Sequence, residues 1–479
     1  MWVCVRIFLQ LVGLFGFFLL PVAGLSYGVG ELFWMRYAGV ALASMLTASL
    51  AWLPFFRALP PLRAQDGFLL LTSIWFGVGV LSALPFLVVA DISWVDAWFV
   101  GVSGLTTTGA EVLPDLSQLP VSLLFYRVWL QFIGGLGVVV LALALLPILG
   151  VTHSHSMQSD LPGPTKGLQI APQMVETAQS LWIIYVALWL FCCVSLEAVG
   201  LDIFSAVCES FSIVSTGGYG LHNANLGYYH NPAVMTIAML FMVLSSVNFS
   251  LHYRAVMCAD WQAFIKNIEC RYYLLALVLV SALFGLFAES SPFQGSLTAV
   301  FTVVSLMTSS GQHVVPYEGL SAFPVFVLML LGLIGGCSGS TSGGMKWARL
   351  LFLLREMRAA VSLLLHPRAI LPTTVQTGKG SYLQQSDGVL VRGYLVAFVL
   401  IWFIGVGMCL FAGLDFATAF SAVIACLSNT GVGFFGVVGG FAGLPDSVKL
   451  LLTVVMLVGR IELLAFLVVL SPSYWRMRL

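Results

Sequence analysis

Charge is what this sequence has least of. Lys, Arg, Asp and Glu make up only 8% of the 479 residues, and they balance to a net charge of zero. That balance argues against a nucleic-acid partner, which would call for a broad basic surface. Histidine is scarce, at seven residues, and the nine cysteines are scattered, several of them inside apolar runs (Cys192, Cys193, Cys409, Cys426). Neither a zinc-ligand spacing nor a disulfide framework emerges, so the cysteines read as small core residues. The H-x-H pair His153 and His155 falls in a short polar loop and reads as solvated. The serines lack a convincing His/Asp partner and no metal constellation appears, so the chain is not expected to be an enzyme.

What is abundant is apolar sequence. Hydrophobic residues make up 60% of the chain and the mean hydropathy is +1.01, which marks a polytopic membrane protein. A spanning helix needs roughly 20 mostly apolar residues. Runs of that kind lie at 7–24, 37–55, 68–90, 123–147, 181–200, 232–250, 271–288, 322–345, 390–412 and 448–470. The first resembles a signal peptide, with Arg6 and "PVAG". Retained, it gives an even number of spans and puts both termini on one side. Most Lys and Arg fall in the termini or after even-numbered spans, whereas Arg36, Arg127 and Lys449 fall on the other side. The positive-inside rule then makes both termini cytoplasmic.

Four segments between spans are too apolar for loops and too short to cross. They read "AWFVGVSGLTTTGAEV" (97–112), "SAVCESFSIVSTGGYG" (205–220), "AVFTVVSLMTSSGQHV" (299–314) and "AFSAVIACLSNTGVGF" (419–434). Each is an apolar run that meets a small polar turn ending in glycine. Aligned on glycine, the turns are Thr107-Thr108-Gly109, Ser215-Thr216-Gly217, Ser309-Ser310-Gly311 and Asn429-Thr430-Gly431. This is an internal repeat of span, re-entrant half-helix, turn and span. The expected units are an N-terminal two-helix extension (1–60) and repeats at 61–150, 179–255, 268–366 and 385–479. The fold class is therefore an all-α membrane protein with four repeats in a pseudo-fourfold array. Re-entrant backbone survives at membrane depth only when it is buried in protein or lines water. A ring of such turns presents carbonyls and hydroxyls to a dehydrated cation, and half-helix C-termini favour positive charge there. With no carboxylate in the turns, a monovalent ion fits. Glu31, Asp91, Asp96, Glu111, Asp115, Glu318 and Asp446 give the outer face a mildly acidic rim.

Two irregular features lie below the turns. The eighth run is interrupted by "GGCSGSTSGGMK" (335–346), which fails as a phosphate loop because Met345 stands where lysine should be. Gly335, Gly336, Gly339, Ser340, Thr341, Gly343 and Gly344, followed by Lys346, would break the helix and form a flexible gate across the pore. Arg460 lies about twelve residues into the last span, too deep to snorkel easily. It is either an electrostatic barrier or half of a structural Arg–Glu pair. Glu209, inside the second half-helix opposite Gly101, Val303 and Val423 of the other repeats, is expected to pair with a basic residue or a backbone amide.

The four-repeat plan, the glycine turns, "GGCSGSTSGGMK" and the ending "GRIELLAFLVVLSPSYWR" resemble the superfamily of potassium transporters that includes TrkH and KtrB. The resemblance covers nearly the whole chain, and the extra N-terminal pair of spans fits the TrkH branch. It implies a K+ pathway through one filter, with Gly109, Gly217, Gly311 and Gly431 as filter glycines, residues 335–345 as the gate and Arg460 facing the pore. It also implies a homodimer in the bacterial inner membrane, seated on a cytosolic regulatory partner similar to TrkA, with the basic loop 346–368 as a contact surface. Nucleotide (NAD or ATP) is expected on that partner only. This chain needs no cofactor beyond the K+ it carries and surrounding membrane lipid. The alternative is a secondary transporter for another cation, Na+ or NH4+, or for a small organic solute. Such transporters usually show inverted repeats, whereas all four repeats here share one orientation.

Overall fold

The computed structural model describes residues 2–49, 64–113, 115–148, 170–286, 295–315, 317, 319–366, 375–378, 381–383, 385–461 and 463–476. The N-terminal extension is α1 (Trp2–Phe18), α2 (Leu20–Val29) and α3 (Trp34–Ser49). Repeat 1 is α4 (Ala64–Leu81), α5 (Leu84–Ala90), α6 (Trp94–Leu105) and α7 (Val121–Ile148). Repeat 2 is α8 (Ile170–Ala198), α9 (Ile203–Ser215), α10 (Pro232–Ser246) and α11 (Phe249–Met257), followed by the short α12 (Gln262–Lys266). Repeat 3 is α13 (Ile268–Leu286), α14 (Ser296–Met307), α15 (Ala322–Ile334) and α16 (Trp347–Leu365). A two-stranded antiparallel hairpin, β1 (Val375–Gly378) with β2 (Ser381–Leu383), precedes repeat 4. Repeat 4 is α17 (Gln385–Phe411), α18 (Phe416–Leu427), α19 (Asp446–Arg460), α20 (Leu463–Leu470) and α21 (Pro472–Arg476).

Among the described residues, six helical stretches are long and apolar enough to cross a membrane. Two bent pairs, α10 with α11 and α19 with α20, raise the number to eight. Of the ten expected spans, 322–345 takes another form, because its helix stops at Ile334. The run 37–55 is helical through Ser49, and its remainder lies outside the described residues. The cause at Ile334 is local, because Gly335 adopts φ +74 with ψ −155 and ends the helix. Three of the four inner helices break at this level. α10 turns by 94° into α11 at Val247 and Asn248, where the Asn248 side chain accepts the Ser250 N–H and caps the new helix. Only α7 runs on unbroken.

The half-helices α6, α9, α14 and α18 have 12 or 13 residues, about 18–20 Å, and cannot span a hydrocarbon core of about 30 Å. Beyond their first turns, where Trp94, Ile203 and Phe416 are exposed, they are mostly buried. The outer helices instead turn apolar side chains outward, as with Ile183 and Phe191 of α8, Val278 of α13 and Phe403 of α17. That arrangement suits a lipid solvent, where apolar side chains face outward and polar backbone is satisfied inside. An aromatic cluster pins three helices together: Phe132 of α7 meets Phe211 of α9 at 4.5 Å, and Trp189 of α8 stacks on Phe211 at 5.0 Å. The N-terminal extension is tied to repeat 1 by Trp129, whose indole N–H donates to the Phe18 carbonyl at 2.8 Å.

Three half-helices start on a side-chain cap: Ser93 accepts from the Asp96 N–H, Asp202 from Ser205 and Asp415 from Thr418. The cap bonds hold the Asp202 and Asp415 carboxyls below the usual carboxylate range, and hydrogen bonds from Ser117, Gln118 and Asn223 do the same for Asp115. A carboxyl whose folded pKa is depressed stabilises the fold fully above its unfolded value and loses that contribution as pH falls through the folded value. Thermal unfolding in detergent should therefore occur at lower temperature as pH drops below about 4. Asp202→Ala should cost about 1 kcal/mol at neutral pH and flatten that acid dependence.

Candidate functional site

The four turns have one backbone form. The first residue of each is left-handed without being glycine: Thr107 (φ +52), Thr216 (φ +53), Ser309 (φ +56) and Asn429 (φ +51). The third is a left-handed glycine: Gly109 (φ +80), Gly218 (φ +85), Gly311 (φ +68) and Gly431 (φ +70). The middle residue donates its N–H to the carbonyl five residues back, Thr108 to Ser103, Gly217 to Ser212, Ser310 to Ser305 and Thr430 to Ala425, at 2.8–3.0 Å. This corrects the frame of repeat 2. Its equivalent triplet is Thr216-Gly217-Gly218, one residue later than the alignment on Gly217 gives. Gly218 is the structural counterpart of Gly109, Gly311 and Gly431, and Ser215 falls beside Thr106, Thr308 and Ser428, one position before the turn. The positions matching Glu209 become Val100, Thr302 and Ala422.

The turns close into a ring. A Cβ on Gly109 would collide with the Gly217 carbonyl, one on Gly218 with the Ser310 carbonyl, one on Gly311 with the Thr430 carbonyl and one on Gly431 with the Thr108 carbonyl. The order around the ring is therefore 1, 2, 3, 4 and back to 1, with repeats 2 and 4 opposite one another. All four left-handed glycines line one cavity of about 490 Å³, whose other walls come from the segments that follow the turns, among them Leu116, Asn223, Val314 and Gly440. The turns contribute no carboxylate; their buried oxygens are carbonyls, hydroxyls and the Asn429 amide. The hydroxyls of Thr107, Ser309 and Ser310 are buried without a hydrogen-bond partner among the described residues. An unsatisfied buried hydroxyl costs about 1–3 kcal/mol, so these positions suit a polar or cationic occupant.

Residues 335–346 lie directly against the opposite side of the ring. The Gly344 N–H donates to the Ser428 carbonyl of repeat 4 at 2.8 Å. The Thr341 hydroxyl lies 3.3 Å from the Thr216 hydroxyl of repeat 2 and donates to the Ser245 carbonyl at 3.1 Å. One loop thus touches two diametrically opposed turns, so it crosses the axis. Gly335, Gly336, Ser340, Thr341 and Gly343 are buried, while Gly339, Gly344 and Lys346 are half-buried. The loop is held by bonds that the sequence did not reveal. Glu269 of α13 accepts the N–H groups of Ser338 at 2.6 Å and Ala348 at 3.1 Å, clipping both ends with one oxygen. Lys346 donates its ammonium to the Ser342 carbonyl.

Arg460 ends α19 beneath the repeat 4 turn, since a Cβ on neighbouring Gly459 would stand 3.1 Å from the Asn429 Oδ1. Its side chain is buried, and Nε and Nη2 have no hydrogen-bond partner among the described residues. Glu462, close to Arg460 in sequence, lies outside the described residues, as do His153, His155, Glu318 and Arg368.

Around the cavity the acidic rim is largely tied up. Glu111 pairs with Arg127, whose buried guanidinium also sits 4.4 Å over the Tyr219 ring. Asp96 pairs with Lys449 at 2.7 Å. Two of the three basic residues on that side therefore serve two of its carboxylates. Glu209 is fully buried and accepts the Leu221 N–H and the Tyr229 hydroxyl, which holds the segment after the repeat 2 turn against the half-helix. Arg127 was legible only as a charge on the outer side. Its position within the run 123–147 was the signal that it is embedded.

The sequence matches the family described as TrkH, cation transport protein, over residues 36–477. The chain belongs to the TrkH family of cation transport proteins. Within the TrkH family it is 35% identical to the Trk system potassium uptake protein TrkH of Halomonas elongata, over 98% of this chain and 99% of that one. It is 35% identical to the Trk system potassium uptake protein TrkG of Escherichia coli, over 89% and 88% of the two chains. Its fold superposes on the crystal structure of the potassium transporter TrkH from Vibrio parahaemolyticus with a TM-score of 0.89 at 34% identity, over 98% of each chain.

Removing one partner of an embedded ion pair leaves the other charge uncompensated, at a cost of about 3 kcal/mol. Arg127→Met should lower the unfolding stability in detergent by that order, and adding Glu111→Gln should recover part of the loss. Full additivity of the two substitutions would show that the pair does not hold the cavity wall.

Proposed function

We propose that this chain is the K+-translocating, pore-forming subunit of a bacterial Trk-type potassium uptake system. The observation that carries this reading is the closed ring of four glycine turns between a cavity on one side and a loop crossing the axis on the other. Thr107, Thr108 and Gly109, Ser215 to Gly218, Ser309 to Gly311 and Asn429 to Gly431 form the filter, with Gly218 added to the positions read from sequence. A cation enters the cavity, exchanges its water for ring oxygens, and meets residues 335–346 and then Arg460. Relatives named for potassium uptake support K+ as the ion carried.

In this reading the loop is the gate. Its contacts to the ring are few: the Gly344 N–H to Ser428 and the Thr341 hydroxyl beside Thr216. At about 0.5–1.5 kcal/mol net per hydrogen bond, releasing these ring contacts costs a few kcal/mol. A regulatory partner could supply that amount, within the usual range of allosteric coupling. The loop runs directly into α16, which packs on α17 through Arg349 over the Tyr394 ring at 3.6 Å and an Arg392–Glu356 pair at 2.9 Å. A partner bound at α16 can therefore pull on the loop. We place the protein in the bacterial inner membrane as a homodimer with cytoplasmic termini. A cytosolic TrkA-like subunit binds the nucleotide, NAD or ATP. The charge distribution of the termini and loops supports that orientation. Arg460 raises the electrostatic barrier below the filter.

Purified chain in K+-loaded liposomes should take up radioactive Rb+, and external K+ should compete with it. Deleting residues 335–345 should raise basal flux several-fold, and Arg460→Ala should increase it as well. A folded deletion variant with unchanged flux would show that the loop does not obstruct the pathway. A folded but inactive Arg460→Ala variant would assign that residue a structural role.

A further inference from the structure

Repeat 2 departs from the other three at the middle turn position, where it has Gly217 in place of Thr108, Ser310 and Thr430. The missing side chain is replaced from outside the repeat. Gln131 of α7, fully buried, donates its amide N–H to the Gly217 carbonyl at 2.5 Å and accepts the Tyr219 N–H at 3.3 Å. These two bonds bracket Gly218. A Cβ on Gly217 would run into the Gln131 amide group. Across the ring the same helix-to-turn contact has its sizes exchanged. Gly332 of α15 faces Thr430, whose hydroxyl lies 3.4 Å from the Gly332 carbonyl. A side chain stands on the turn in repeat 4 and on the helix in repeat 2.

We propose that Gln131 is a specificity-positioning residue: it fixes the direction and electron density of the Gly217 carbonyl, and through it sets discrimination between K+ and Na+. This inference rests on the filter reading above. A carbonyl oxygen has two lone pairs. The Gln131 N–H takes one, which leaves the other for a cation and prevents the peptide from swinging. Selectivity depends on the field strength and mobility of such carbonyls. Without Gln131 the repeat 2 peptide is free to move inward toward a smaller ion. In repeats 1 and 4 the middle side chain is braced from within, by Thr106 with Thr108 at 2.7 Å and Ser428 with Thr430 at 2.9 Å, whereas the middle peptide of repeat 2 takes its brace from Gln131 of α7.

The test measures K+ and Na+ fluxes in liposomes containing the full chain, its Gln131→Leu variant, Gly217→Ser, and the double variant Gln131→Ala with Gly217→Ser. Gln131→Leu keeps the volume and loses both bonds; its Na+ to K+ flux ratio should rise at least threefold while K+ still passes. Gly217→Ser should lose most K+ flux by collision with Gln131, and the double variant should regain it. A wild-type flux ratio in Gln131→Leu with K+ flux intact would overturn the assignment. Should Gln131→Leu fail to fold, a double variant no more active than Gly217→Ser alone would overturn it equally. Absence of K+ flux from the unmodified chain would instead overturn the pore reading itself.

Discussion

The rest of the structure depends on the contact between a glycine Cα and the carbonyl of the next repeat's turn, made four times around a closed ring. Each glycine is left-handed and each would place a Cβ against its neighbour's backbone, so no other residue serves at these positions. The contact brings four half-helix C-termini together within the bundle. Their partial negative charge is thereby gathered beside the one cavity that the four glycines line. The strain is real, because the first residue of every turn is left-handed without being glycine. It is offset by the hydrogen bond that closes each turn onto the carbonyl five residues back.

Below the ring the constraint is backbone hydrogen bonding in a medium without water. Three inner helices break there, and each break exposes N–H and C=O groups that must be matched. The breaks satisfy one another: the Phe249 N–H at the start of α11 reaches the Gly339 carbonyl, and the Cys337 N–H reaches the Ser246 carbonyl at the end of α10. Glu269 takes two more N–H groups from the loop and from α16. A loop so held is ordered, yet few of its bonds go to the ring itself.

Charge follows the same economy of partners. Glu111, the carboxylate lining the cavity among the described residues, is engaged by Arg127; Asp96 is engaged by Lys449, and Asp115 is held by its own turn and Asn223. In the filter reading proposed above, the attraction for a cation comes from carbonyl dipoles and unpartnered hydroxyls more than from a rim of free acid. Arg460 is the exception, a buried cation with two nitrogens lacking a hydrogen-bond partner among the described residues.

The membrane class, the four half-helices and the breaking loop were legible in the sequence, because each rests on local pattern: apolar run length, a polar turn ending in glycine, five glycines in twelve residues. The depth of Arg460 was legible for the same reason. The frame of repeat 2 was not, because "STGG" offers two glycines and spacing alone cannot choose between them. Dihedral angles and the ring contacts choose Gly218. Nor could the sequence show that residues 335–346 touch opposite turns, that Glu269 clips the loop, or that Gln131 stands in for the side chain Gly217 lacks. Those contacts join residues tens to hundreds of positions apart, and only the packing of four repeats around one axis brings them within bonding distance.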